Sequence, residues 1–114
     1  MKISSLTKRA ALLLVGLAAA TSAQAWQTYA IANLSDVTFV GNDVLISIDG
    51  AIPGNCAGAT TSWLKISGDQ KPMAAWVIGL WLRGDLVGTR VTVYTDLVDA
   101  GGYCTIYQLD PMYN

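Results

Sequence analysis

The chain has 114 residues, a formal net charge of −1 and no histidine, with seven basic side chains against eight acidic ones. It is 53% apolar and only 13% charged, and the eight acids are all aspartate. That length admits one small domain. The missing imidazole removes both the commonest general base and the commonest zinc ligand.

The first 25 residues, MKISSLTKRAALLLVGLAAATSAQA, read as an export signal rather than as part of a fold. Lys2, Lys8 and Arg9 make a basic start. An apolar run from Ala10 to Ala20 follows, and Ala23-Gln24-Ala25 ends the segment with small residues around a polar one. This three-part pattern predicts cleavage between Ala25 and Trp26. The apolar run is shorter than the roughly 20 residues that a membrane-spanning helix needs. The expected product, 26–114, is a single domain, periplasmic or secreted. It keeps only Lys65, Lys71, Arg83 and Arg90 against all eight aspartates. An acidic chain without a basic cluster is a poor partner for phosphate backbones or anionic lipid, so no nucleic-acid partner is expected.

Strand signals open the domain. Thr28–Leu34 reads as a first strand, or as the start of one long bent strand that continues through Asp36–Val40. Gly41-Asn42 then separates this run from Asp43–Asp49, the pattern of a β-hairpin with a tight turn. In the second run Val44, Ile46 and Ile48 share one face, with Ser47 and Asp49 on the other. Gly50–Thr61 is a loop by composition and contains Cys56. Ser62–Ser67 alternates as a short strand, Thr89–Thr95 as another, and Tyr103–Leu109 as the last, after a loop at 96–102.

Cys56 and Cys104 are the only cysteines. In an oxidising compartment they have one intramolecular pairing open to them, and a metal site would need further ligands. A disulfide across this span would stabilise a small, marginal core by roughly 4 kcal/mol on the chain-entropy estimate. No metal and no cofactor are expected.

The segment Pro72–Leu82 is apolar almost without a break. Met73, Trp76, Val77, Leu80 and Trp81 follow the i, i+3, i+4, i+7, i+8 spacing of one helical face. Asp69 is placed to cap the start, Pro72 suits the first turn and Gly84 the end. At about 12 residues the helix is too short to cross a bilayer, so no transmembrane span is expected after the signal. Its other side, Ala74, Ala75, Ile78, Gly79 and Leu82, is apolar too. Either the domain wraps the helix completely or a neighbouring copy covers Ala74, Ile78 and Leu82.

The order is three strands, one helix, two strands, with one disulfide. This is mainly β with a single helix between strands 3 and 4, the order of a five-stranded OB (oligonucleotide/oligosaccharide-binding) barrel. In that order the chain resembles small exported bacterial OB-fold proteins related to the B subunits of five-B-subunit toxins, nearest the subtilase-cytotoxin type. The resemblance rests on the signal ending before Trp26, the Asp43–Asp49 strand, Asn55-Cys56, Trp63-Leu64-Lys65-Ile66 and the helix Met73–Leu82. It continues through Arg90–Tyr94 after Gly88 and through Gly102-Tyr103-Cys104-Thr105-Ile106. It implies a ring of five subunits with helices lining a central hole, and glycan binding on the barrel. No sugar-pocket motif matches residue by residue, so no binding residue is carried over.

Catalytic groups are scarce. Besides lacking histidine and glutamate, the chain has no Gly-rich phosphate loop after a strand, and its aspartates sit singly at strand ends and turns, where they satisfy local backbone donors. A non-enzymatic binding surface fits better. If Val91 and Val93 point inward, Arg90, Thr92 and Tyr94 point outward; if Cys104 and Ile106 point inward, Tyr103, Thr105 and Tyr107 point outward. On neighbouring strands these six would form one aromatic and hydroxyl-rich face, although Tyr and Thr also suit the outer face of any sheet. Trp63, out of phase with Leu64 and Ile66, would join this surface or fill the barrel end. Three readings stand: an oligomeric binding module for a glycan or envelope component; a monomeric inhibitor or envelope accessory protein using loop 50–61; and a small hydrolase needing two converging aspartates. Intact-mass measurement of the exported protein is expected to give a chain beginning at Trp26. A chain retaining the first 25 residues would contradict the signal reading.

Overall fold

The computed structural model describes residues 27–112, so the expected signal 1–25 and its cleavage point lie outside the described residues. The first strand, β1 (Tyr29–Val40), is the long bent strand, and one irregularity explains the bend. Its register shifts between Leu34 and Asp36, leaving Ser35 unpaired in a bulge. Such an extra residue kinks a strand and sharpens its twist, which lets one strand serve two neighbours. Before the bulge, Tyr29–Asn33 pairs with β4 (Arg90–Val98); after it, Asp36–Val40 pairs with β2 (Asp43–Ile48). Gly41, at φ 60°, makes the tight hairpin turn between β1 and β2.

The third strand, β3 (Leu64–Ile66), is shorter than its alternating pattern predicts; the last, β5 (Cys104–Pro111), is longer. The sheet runs β1-β2-β3-β5-β4 and closes on β1, with β3 and β5 parallel and the other pairs antiparallel. This is the five-stranded OB-like barrel, and closure leaves no free sheet edge. Inward-facing Leu34, Ile46, Leu64, Ile66, Val93 and Ile106 are each 1% exposed or less, and Leu45 and Thr92, on the opposite phase of β2 and β4, are buried as well.

Helix α1 (Lys71–Arg83) joins β3 to β4. Pro72 lies in its first turn, and Gly84 ends it in the left-handed region at φ 76°. The Gly84 N–H donates to the Trp81 carbonyl and the Asp85 N–H to the Leu80 carbonyl, a paired C-terminal cap. Asp69 does not cap the start: Gln70 is the N-cap residue, its side chain accepting from the Ser67 N–H and not from the helix, and the Asp69 carboxylate accepts from the Ser67 hydroxyl. That bond, made to the charged form, holds the Asp69 carboxyl below its usual range.

The buried stripe of α1 differs from the one the spacing predicts. Val77 and Leu80 are buried, and Met73, Ala74, Trp76 and Ile78 pack partly against the barrel core. Trp81, expected inside, is 51% exposed and meets Phe39 edge-on at 5.4 Å. Of the expected interface residues Ala74, Ile78 and Leu82, the first two lean on the chain's own core and only Leu82 stands free. A helix laid on a barrel touches it over a wide arc, so flanking positions are drawn in while the last turn runs past the edge. Among the described residues no helix is long and apolar enough to cross a membrane.

Cys56 and Cys104 form the disulfide, with Cα atoms 5.3 Å apart across 48 positions of sequence. It ties the loop after β2 to the first residue of β5. Beside it, the Thr60 N–H donates to the Gly102 carbonyl at 2.9 Å. Gly102 has φ 89°, and a Cβ there would collide with Thr60 Oγ1, so only glycine fits. Urea unfolding of the Cys56→Ala/Cys104→Ala variant should show a loss of roughly 4 kcal/mol against the oxidised protein. An unchanged midpoint would mean that the crosslink constrains nothing the barrel does not already hold.

Candidate functional site

The six residues expected on one outer face lie on adjacent strands, but the register spreads them out. β4 and β5 pair antiparallel from Val91↔Pro111 to Val98↔Cys104, which puts Arg90 at one end of the ribbon and Tyr103 at the other. Thr92 is nearly buried, its hydroxyl turned to Met112 Sδ at 3.4 Å. The Thr105 hydroxyl donates to the Leu97 carbonyl at 2.8 Å, and the Tyr103 amide to Asp99 Oδ1 at 3.0 Å. Only Tyr94 and Tyr107 meet, with ring centroids 6.2 Å apart. Tyr29, across the β1–β4 pair, extends them at 6.0 Å from Tyr94. The result is a three-tyrosine ladder over β1, β4 and β5.

At the Tyr107 end of this ladder lies an open groove of about 660 Å³, lined by Thr28, Asn55, Thr95, Asp96, Leu97 and Tyr107. Its existence follows from a broken register. The β4–β5 pairing shifts between Tyr94 and Thr95 and again between Thr95 and Val98, which takes the Thr95 and Asp96 carbonyls out of the regular ladder. Backbone acceptors left without partners are costly unless something else serves them. The Asn55 side-chain amide serves both, at 3.0 Å to Thr95 O and 2.9 Å to Asp96 O. The Thr95 hydroxyl donates to Asn55 Oδ1, while the Asn55 N–H donates to the Gln27 carbonyl at 3.0 Å. Asn55 thus joins the chain before β1, the disulfide loop and β4, held in place by the crosslink at the next residue.

Leu97 is 72% exposed and Tyr107 51% exposed, so the groove offers apolar walls beside the Asp96 carboxylate. This carboxylate makes no ion pair among the described residues. Sequence reasoning finds Tyr107 but misses Thr28, Asn55, Thr95 and Leu97. Their only signal is Asn55-Cys56 in a loop whose composition says nothing of what it touches. Trp63 is half-buried at the start of β3.

A second polar cluster joins β2, β3 and the loop before β5. Lys65 Nζ is 2.7 Å from Asp99 Oδ2 and 3.5 Å from Asp43 Oδ2. Asp43 Oδ1 also accepts from the Gly68 N–H, and Asp99 Oδ1 from the N–H groups of Gly101 and Tyr103. Two aspartates do converge here, on a cation between them. The bond from Lys65 holds the Asp99 carboxyl below its usual range, and the same bond raises Lys65 above its own. A carboxylate kept ionised in this way is an ion-pair partner and a poor proton donor near neutrality. Among the described residues no three His, Cys, Asp or Glu side chains gather to hold a metal ion.

Comparison with protein-family models, with curated proteins and with solved structures gives no match. The class of this protein is therefore the one its fold defines, an OB-like barrel with one α-helix among the described residues and one disulfide.

The ion pair makes stability depend on pH in a defined direction. Asp99 is depressed on folding, so its contribution is present above the usual carboxylate range, near 3.8, and fades as pH falls through the lowered value. Lys65 is raised, so its contribution is complete below 10.5 and fades only as pH climbs past the raised value. Asp99→Asn should cost about 1–2 kcal/mol at neutral pH. Its melting temperature should converge with that of the parent as pH falls through the lowered Asp99 value. Parallel melting curves across the acid range would refute the assignment.

Proposed function

We propose that the protein is an exported, non-enzymatic binding module that takes a saccharide on the tyrosine ladder and works as an assembly of copies. The observation that carries this reading is the ladder itself, three tyrosines on adjacent strands beside an open groove. Aromatic faces suit the C–H side of sugar rings, and the tyrosine hydroxyls and the Asp96 carboxylate supply directional hydrogen bonds. Export rests on the three-part signal read in residues 1–25 and fits the disulfide.

Assembly is supported by the apolar end of α1. Trp81 and Leu82, with Phe39 and Val40 beside the β1–β2 turn, leave large side chains in water that a neighbouring copy would cover. The likeness to toxin B subunits leads to the same expectation and adds a count of five. A monomer that binds an envelope protein is the second reading. It is favoured by loop 50–61, which the crosslink and Asn55 fix in shape while Ala57, Gly58 and Thr60 stay exposed.

A glycan array probed with the labelled protein should reveal one saccharide class. Tyr107→Ala or Tyr94→Ala should weaken that binding about tenfold or more, equivalent to roughly 1.4 kcal/mol. Binding indifferent to both substitutions would remove the ladder from the site. Light scattering should give a multiple of the monomer mass that Leu82→Asp disperses; a clean monomer would favour the second reading.

A further inference from the structure

At the opposite end of β4 lies a cleft of different chemistry. It has a volume of about 440 Å³, and its walls include Trp76, Leu80, Arg83, Asp85, Arg90 and Met112. Arg83 and Arg90 are the only arginines among the described residues, and both line it. Trp76, Leu80 and Arg83 fall at i, i+4 and i+7 along α1 and so form one stripe of the helix. Arg83 folds back over Gly79, its Nη1 lying 3.9 Å from where a Cβ on that glycine would be. Arg90 enters from the first residue of β4, beside Met112, whose N–H donates to the Arg90 carbonyl.

Both guanidinium groups keep most of their donors free. Arg83 reaches Asp85 through Nε alone at 3.3 Å, and both side chains of that pair are 63% exposed. Arg90 has only a 3.5 Å contact from Nη1 to Asn33 Oδ1, at the limit of hydrogen bonding. Asn33 is in turn held by Asp49, which accepts from its backbone N–H at 2.7 Å and from its side-chain amide at 3.1 Å. The N–H groups of Gly88 and Thr89 are already used, on the carbonyls of Leu34 and Leu86. Beside the Trp76 indole N–H, the donors left in the cleft are therefore those of the two cations, set against one lining carboxylate. Five N–H groups in a fixed fork make each arginine suited to a planar or tetrahedral oxyanion. Trp76 and Leu80 provide an apolar wall for whatever carries it.

We infer that this cleft is a second binding site, for a small organic anion: a carboxylate or phosphate carried on an apolar ring or short chain. The volume lies within the range of small-ligand pockets. The site is separate from the tyrosine ladder and does not depend on the function proposed for it. Because the cations lie in an otherwise acidic chain, the cleft draws anions by local contact and not by long-range attraction.

The test is nuclear magnetic resonance titration of the oxidised protein with phenyl phosphate, phenylacetate and benzyl alcohol as probes. At least one of the two anions should shift the Arg83 and Arg90 Nε–H signals and the Trp76 indole N–H saturably, while benzyl alcohol at equal concentration should not. The better of the two anions tells a phosphoester ligand from a carboxylic acid. Arg90→Gln and Arg83→Gln, with backbone spectra otherwise unchanged, should each weaken the binding at least fivefold, and Arg90→Lys should recover part of it. Tyr107→Ala should leave it unaltered, so this site and the ladder stand or fall separately. Equal shifts with benzyl alcohol, no saturable shift with either anion, or full binding in Arg90→Gln would each overturn the inference.

Discussion

The barrel closes at its weakest seam. β3 is three residues long and meets β5 through two register pairs, Leu64↔Cys104 and Lys65↔Thr105, in a parallel arrangement. Parallel pairing is slightly less stable per residue than antiparallel pairing, and two pairs cannot hold a sheet together alone. Both positions of this seam are reinforced. Cys104, opposite Leu64, is crosslinked to Cys56; Lys65, opposite Thr105, is tied to Asp99 in the loop before β5 and to Asp43 at the start of β2. Covalent and ionic bonds do here what strand length does in a larger barrel. In a chain this small the hydrophobic core leaves little stability in reserve.

The tyrosine groove depends on the same reinforcement. Asn55 reaches the two β4 carbonyls because Cys56, its neighbour, is anchored to β5. Without that anchor the loop would lose its fixed path, and the register break in β4 would leave acceptors unserved. A defect in the ladder, an asparagine that fills it and a crosslink that positions the asparagine make one unit. Its surface expression is a concave patch beside Tyr107. Polar groups at the floor are already satisfied by the protein itself, so an incoming ligand would engage the exposed aromatic and carboxylate rim rather than Asn55.

Much of the fold was legible in the sequence because its signals are local. Alternation placed Val44, Ile46 and Ile48 on one face, Gly41-Asn42 marked the hairpin, and Pro72 and Gly84 bracketed α1 to within a residue of its limits. The two cysteines left one pairing. What was not legible depends on register, which alternation does not encode. Alternation put Arg90, Thr92 and Tyr94 on one face but could not say that antiparallel pairing carries Arg90 away from Tyr103, or that Thr92 is covered by Met112. Nor could periodicity tell that Trp81 would sit past the barrel edge against Phe39, because the helical stripe through Val77 and Leu80 reaches it equally well. Tyr29 joins the ladder through the β1–β4 pairing, a contact across more than half of the domain that no local pattern carries.

β4 separates two kinds of surface. Toward its end, Thr95 and Leu97 open on a groove with tyrosine on one side and a single carboxylate; at its start, Arg90 opens on a cleft with two guanidinium groups and tryptophan. The separation follows from how the strand is paired. At its start β4 is flanked by β1 and by the end of β5, and the connection from α1 arrives there with Arg83. At its end the ladder fails and the disulfide loop fills in. Charge is partitioned in the same way: Lys65 is consumed by the seam and Lys71 lies with Asp43 and Asp69 in a separate hollow, which leaves the two arginines as the cations of this cleft. In an acidic chain, cations kept clear of strong partners on a defined apolar wall are a departure from the general balance. Neither the barrel seam nor the core uses them.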